Sequence, residues 1–79
     1  MLGMRHDEFV RPELESQVQA ELRNSPYGAI RTVTCELKEG VLRLTGCVPS
    51  YYLKQVAQRL ALSVLDGTVT IENRLQVDR

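Results

Sequence analysis

Residues 33–48 read VTCELKEGVLRLTGCV, and this alternating stretch decides the fold. Apolar side chains stand at every second position before Glu39-Gly40 and again after it, a pattern typical of two half-buried strands. A one-residue shift in pairing would move one strand's apolar side chains to the opposite face, so the register is strongly specified. If Glu39-Gly40 is a two-residue loop, the facing pairs are Leu37 with Leu42, Cys35 with Leu44, and Val33 with Gly46. The stretch therefore predicts an antiparallel β-hairpin with one apolar face.

The same register places the two cysteines on opposite faces of the hairpin. Cys35 belongs to the apolar face, whereas Cys47 would lie opposite Thr32 on the outer face. Side chains on opposite faces cannot reach the separation that a disulfide requires. We therefore expect two free thiols, with Cys35 as a small core residue and Cys47 near the rim of the sheet.

The segment after the hairpin predicts the clearest helix of the chain. Ser50 is a favourable N-cap residue, and apolar residues then follow at the spacing of one helical face. These residues are Leu53, Val56, Ala57, Leu60, Ala61 and Val64. Leu62 lies about 180° from Leu53 around such a helix, so we expect its side chain to point away from the sheet.

The flanking segments complete the predicted secondary structure. A first helix runs from Pro12, which suits a first helical turn, to Asn24-Ser25-Pro26, where the proline ends it. Its apolar stripe consists of Leu14, Val18 and Leu22. Strand character begins at Ile30. In the last strand Asn73 interrupts the apolar row, so it would need hydrogen-bond partners if buried. That row is Val69, Ile71, Asn73, Leu75 and Val77.

The predicted order is α-β-β-α-β, which defines an α+β fold. The second strand, second helix and third strand form a crossover that is expected to be right-handed. Two amphipathic helices would cover one face of a three-stranded, mixed sheet and leave the other face polar, giving a two-layer αβ sandwich. We expect a flexible N-terminal arm over residues 1–10 and a single domain over residues 11–78.

Composition excludes several classes of function. The 79 residues carry ten Lys or Arg and ten Asp or Glu, so the formal net charge is zero. A nucleic-acid binder needs a clustered basic excess, and this chain lacks both a G-x-x-G loop and aromatic residues within its strands. The chain has no run of 18 apolar residues and no apolar segment long enough for a secretory signal. We therefore expect a cytoplasmic location, with the periplasm or membrane periphery as the alternative for a processed form.

Candidate catalytic and metal-ligating residues do not assemble into a site. His6 is the only histidine and falls in the predicted arm, while the carboxylates are spread over exposed faces. No nucleophile is paired with a base, and no cysteine has a second ligand at metal-binding spacing. The sequence predicts a protein that is not an enzyme, with no catalytic residues, metal, cofactor or small-molecule substrate.

The element order and the glycine-punctuated strand resemble the BON domain family. The family pattern combines a turn glycine, a V-x-L-x-G-x-V strand, an Ala-rich amphipathic helix and a V-x-N-x-L-x-V strand. The matching positions are Gly40, Leu42, Leu44, Gly46, Val48, Ser50, Ala57, Ala61, Gly67, Val69, Ile71, Asn73, Leu75 and Val77. The resemblance covers roughly residues 12–77. It implies a non-catalytic module of the kind found in bacterial envelope and stress proteins and proposed to bind phospholipid membranes.

Two partners therefore stay open for this chain. The first is a membrane lipid surface, since tyrosine beside a basic residue suits a headgroup boundary. The second is a protein partner, which could be a second copy, because a small sheet with two edges often gains stability by pairing. The candidate contact residues for either partner are Tyr51, Tyr52, Lys54, Arg59 and Leu62. No polybasic segment exists, so recruitment by anionic lipid alone would be weak.

Overall fold

The computed structural model describes residues 12–65 and 67–78, and the predicted arm over residues 1–10 lies outside them. Within the described residues the chain forms three helices and five strands. In order these are α1 (Pro12–Arg23), α2 (Gly28–Arg31), β1 (Thr34–Lys38), β2 (Val41–Thr45), β3 (Cys47–Val48), α3 (Tyr51–Val64), β4 (Thr70–Asn73) and β5 (Gln76–Val77). The fold is α+β, as predicted.

The main sheet has the strand order β1-β2-β4 and is mixed. Strands β1 and β2 pair antiparallel, and β2 and β4 pair parallel through the α3 crossover. Leu37 faces Leu42 and Cys35 faces Leu44, so the register predicted from the alternating stretch is confirmed. The parallel pairing places the last strand next to β2, which is the central strand of the main sheet.

Two residues with positive φ make the hairpin loop. Glu39 has φ of 53° and Gly40 has φ of 80°. Positive φ at both central residues of a two-residue loop defines a type I′ turn, whose twist matches that of the flanking strands. Glu39 adopts this left-handed conformation without being glycine or asparagine, the residues that tolerate it best.

Gly46 bends the second strand without breaking its pairing. It lies between β2 and β3 with φ of 136°. The parallel ladder nevertheless continues past it, because Arg74 N donates to Leu44 O and Gln76 N donates to Gly46 O, both at 2.9 Å. The short β3–β5 pair therefore extends the β2–β4 ladder in the same register.

Helices α1 and α3 pack against each other and cover one face of the sheet, as predicted. The buried core draws on all these elements: Val18, Leu22, Ile30, Val33, Cys35, Leu42, Leu44, Val48, Ala57, Ala61 and Leu75. Burying this apolar surface is the main force that holds the two layers together. Ser50 caps α3, since its Oγ accepts a hydrogen bond from Leu53 N at 3.2 Å.

Asn73 joins the two layers through its carboxamide. Its Nδ2 donates to Lys54 O and to Gln58 Oε1, both at 3.1 Å. Its Oδ1 accepts from Leu75 N at 3.1 Å. The half-buried amide thus has the partners that the sequence required of it, and it ties α3 to the last strand.

The segment between α1 and β1 differs from the prediction. Strand character was expected from Ile30, but residues Gly28–Arg31 form the short helix α2 and β1 begins at Thr34. Ile30 is buried in the core, and Thr32 ends α2 by donating from its Oγ1 to Ala29 O at 2.8 Å. Burial of Ile30 and this local capping outweigh the strand preference of the β-branched residues.

Candidate functional site

The predicted contact residues lie along helix α3. Tyr51 and Tyr52 are 66% and 62% exposed, and Leu62 is 51% exposed. Arg59 is also exposed, whereas Lys54 is half-buried. The expectation that Leu62 points away from the sheet is therefore confirmed.

Helical geometry brings some of these residues onto one face but not into one patch. Tyr51 and Leu62 are eleven residues apart, so they lie within about 20° around the helix but about 16 Å apart along its axis. Between them the exposed face carries Gln55 and Arg59. The solvent face of α3 therefore has two apolar ends and a polar middle.

The structure adds a residue that the sequence reasoning missed. Tyr27, just before α2, packs against Tyr52 with ring centroids 6.3 Å apart and an interplanar angle of 82°. Their hydroxyl oxygens are 3.5 Å apart. Tyr27 is 38% exposed, so all three tyrosines of the chain present surface at the same end of the domain. We refer to Tyr27, Tyr51 and Tyr52 as the tyrosine cluster.

The loop that carries Tyr27 is fixed by polar contacts. Ser25 is buried, and its Oγ accepts a hydrogen bond from Tyr27 N at 3.1 Å. Arg31 Nη1 donates to Ser25 O at 2.9 Å, which closes the loop from the other side. These two hydrogen bonds therefore fix the backbone that positions Tyr27.

The electrostatics of the cluster depend on the contact between Tyr27 and Tyr52 and on one nearby basic residue. The pKa of Tyr27 is raised above its ordinary value. The largest cause is the hydrogen bond with Tyr52, and the second is the electrostatic interaction between the two phenol groups. The first turn of α3 contains no acidic residue and includes Lys54. The Tyr27 ring therefore stays uncharged at neutral pH, and it presents an apolar body with a polar tip.

The open face of the sheet is polar, and Glu72 on this face forms ion pairs with two arginines. Glu72 accepts a hydrogen bond from Arg43 Nε at 3.2 Å, and its Oε2 forms an ion pair with Arg74 Nε at 2.9 Å. Glu36 lies directly opposite Arg43 in the β1–β2 register. A depression of about 310 Å³ on this face is lined by Glu36, Lys38, Glu39, Val41, Arg43 and Glu72. Because acidic and basic groups neutralise each other here, this face favours no ligand of one sign.

Within residues 12–65 and 67–78 no group of three or more His, Cys, Asp or Glu residues is placed to hold a metal ion. In the same residues no helix is long and apolar enough to cross a membrane.

Comparison with known protein families identifies the family of this chain. Residues 11–79 match the family model described as BON domain. No curated protein matches the chain. The family match spans every described element from α1 to β5.

Proposed function

The chain belongs to the BON domain family of small non-catalytic binding modules, and from this premise we propose that it associates with phospholipid membrane surfaces through the tyrosine cluster. The exposure of Tyr27, Tyr51 and Tyr52 at one end of a fixed scaffold is the observation that carries the proposal. Tyrosine is favoured at a headgroup boundary because its ring is apolar and its hydroxyl stays hydrated.

The shape of α3 sets how deep such a contact can go. Arg59 and Gln55 occupy the middle of its exposed face, and burying a charge in hydrocarbon is costly. The helix therefore does not sink into the bilayer along its length. Contact through the tyrosine end, with Leu62 as a second shallow point, keeps the polar middle in the headgroup layer.

A protein partner is the alternative, and the same surface favours it. Tyrosine is enriched at protein interfaces, where it supplies contact area at low entropic cost. The two readings differ in what the domain does when lipid is absent. An association module forms a complex or dimer in solution, whereas a membrane module stays monomeric and binds vesicles.

Vesicle co-sedimentation with a mass measurement in solution tests the proposal. The vesicles are phosphatidylcholine alone and phosphatidylcholine mixed with phosphatidylglycerol. We expect the wild-type chain to have the mass of a monomer in solution and to sediment with the vesicles. The Tyr51→Ser/Tyr52→Ser variant should lose most of this sedimentation. The matched control is Lys38→Ser, which removes an exposed side chain at the hairpin end and should pellet normally.

Two results would decide against membrane association. One is a wild-type chain that fails to pellet and has the mass of a dimer, which favours a protein partner. The other is a double-tyrosine variant that pellets as well as the wild type while keeping its thermal melting curve.

A further inference from the structure

Gln19 on α1 fills the place of a neighbouring strand at the edge of the sheet. Its Nε2 donates to Val33 O at 2.9 Å, and its Oε1 accepts from Cys35 N at 3.2 Å. A pairing strand would bond the same two groups, the N–H of one residue and the C=O of the residue two before it. The side-chain carboxamide of Gln19 therefore makes the two hydrogen bonds that the backbone of a neighbouring strand would make at the start of β1.

The rest of the β1 edge is open. Lys38 and Val41 flank the two-residue loop, so they form the hydrogen-bonded pair that closes it. Pairs alternate along an antiparallel ladder, which turns the backbone groups of Leu37 and Cys35 away from β2. The bond from Cys35 N to Gln19 agrees with this alternation. Among the described residues, no partner is found for the outward backbone groups of Leu37.

We propose that this edge accepts the β1 strand of a second copy of the chain, antiparallel, and that Gln19 keeps it closed in the monomer. The proposal concerns a surface distinct from the tyrosine cluster. An open strand edge can pair with a strand of another molecule. Natural proteins prevent this with side chains that bond to the edge's backbone groups or that repel an incoming strand.

The charges on β1 select the register of the pairing. In a symmetric dimer, the outward-facing backbone groups of β1 allow the two-fold axis to pass through either Leu37 or Cys35. With Leu37 on the axis, Glu36 lies opposite Lys38 of the second copy, and the arrangement repeats on the other side. Both side chains are on the exposed face, where opposite charges across strands stabilise the pair. With Cys35 on the axis, the two Gln19 side chains would meet at the centre.

Gln19 opposes this pairing by competition. The Leu37 register needs Cys35 N for its next hydrogen bonds, and Gln19 already holds that group. Replacing Gln19 by alanine frees the edge in both copies. Since each hydrogen bond contributes modestly in net terms, we expect the dimer dissociation constant to fall by about tenfold or more.

Sedimentation equilibrium of the full chain tests the competition. We expect a wild-type monomer and a concentration-dependent dimer for Gln19→Ala. The matched control is Gln17→Ala, an exposed position on the same helix, which should behave as wild type. A Gln19→Ala variant that keeps its circular dichroism spectrum and stays as monomeric as wild type overturns the proposal.

Charge reversal tests the register. In the Gln19→Ala background, Lys38→Glu places glutamate opposite Glu36 of the second copy, so we expect the dimer to weaken. Adding Glu36→Lys restores opposite charges across the axis and should restore the dimer. If neither substitution changes the dimer dissociation constant, the Leu37 register is wrong.

Hydrogen exchange on the wild-type chain needs no substitution and covers the case in which Gln19→Ala does not fold. The amide of Cys35 should exchange slowly because Gln19 accepts its proton, and the amide of Leu37 should exchange fast because it faces outward. Equal protection of the two amides in the monomer would show that the edge is not open, and the proposal would fail.

Discussion

At the scale of single residues, Gly46 is the position where the backbone conformation is most restrictive. Its φ of 136° lies in a region open almost only to glycine. An added Cβ would meet Leu75 Cδ2 and Val33 Cα at 3.6 Å, an ordinary contact distance. Conformation, and not lack of space, therefore requires glycine where the parallel ladder bends.

We predict that Gly46→Ala lowers the free energy of unfolding by about 1–3 kcal/mol, because alanine is strained at this φ. Urea denaturation followed by circular dichroism measures the change. Gly28→Ala is the control, since Gly28 begins helix α2 and its added Cβ would meet only Arg31 Nη2 at 3.5 Å. Equal losses at the two glycines would show that the conformation of Gly46 is not the cause.

The two cysteines differ in reactivity because the hairpin separates them. Cys35 is buried and Cys47 is exposed, and both are free. Burial, and then the charge of Glu15, raise the pKa of the Cys35 thiol to about 11. The thiol donates weakly to Glu15 O at 3.6 Å and to Gln19 Oε1 at 3.5 Å. Cys35 is therefore a protonated core thiol at neutral pH.

This difference predicts the order of alkylation. The thiolate is the reactive form, so a maleimide or iodoacetamide reagent near pH 8 should modify Cys47 rapidly and Cys35 only on unfolding. Peptide mass mapping of the modified sites measures the outcome. Labelling of Cys35 at the same rate as Cys47 in the folded chain would contradict the burial of its thiol.

The raised pKa of Cys35 also predicts a loss of stability in alkali. The unfolded chain ionises this thiol near its ordinary value of 9.0, before the folded chain does near 11. Between these values the unfolded state binds fewer protons, so stability falls as pH rises. Melting temperatures of the wild type and Cys35→Ala, compared from pH 8 to pH 11, test this. We expect a shallower fall in the variant, and parallel curves would contradict the assignment to Cys35.

At the scale of elements, the cap of α3 holds the helix that carries most of the candidate site. The Ser50 hydroxyl accepts from Leu53 N, satisfying one of the backbone donors that a helix start leaves free. We predict that Ser50→Ala costs about 1 kcal/mol of stability. Ser63→Ala is the matched control, because the exposed Ser63 hydroxyl only donates to Leu60 O within the same helix. Denaturation curves that shift equally for both serines would argue against a capping role.

Helices and strands with a clear hydrophobic periodicity were predictable from the sequence, and so was the register of the hairpin. The register of Cys35 with Leu44 follows from alternation alone, because a slip would expose a whole row of apolar side chains. The cap at Ser50 and the need of Asn73 for partners follow from local chemistry. Helix α2 was not predictable in this way, since four residues carry no helical period and only the tertiary burial of Ile30 reveals the turn.

The candidate site was predictable only in part for a related reason. Tyr51 and Tyr52 begin a strongly patterned helix, so their exposure could be inferred. Tyr27 meets Tyr52 across 25 positions of the chain, and no local pattern encodes that contact. The available signal was a tyrosine directly after a helix-ending proline. Its contact with Tyr52 became evident only from the fold, which brings this loop next to the start of α3.

At the scale of the whole molecule, charge is balanced both in number and in space. Ten basic and ten acidic residues give a net charge of zero. On the open sheet face Glu72 pairs with two arginines, so no field of one sign extends from it. The tyrosine cluster lies at the end of the domain away from the hairpin, where aromatic surface and not excess charge distinguishes it.

Charge balance predicts how membrane association responds to salt. Binding through tyrosine and leucine side chains is driven by apolar burial, which salt does not screen, whereas binding to anionic lipid weakens as the Debye length falls from about 10 Å at 0.1 M to about 3 Å at 1 M. We therefore expect the pelleted fraction on mixed phosphatidylcholine and phosphatidylglycerol vesicles to change little over this range. Tyr51→Ser/Tyr52→Ser should lower it at every salt concentration, and Arg59→Ser should leave it nearly unchanged. A steep loss of wild-type pelleting with salt would instead assign the contact to basic residues such as Arg59, and the tyrosine cluster would not be the membrane-binding surface.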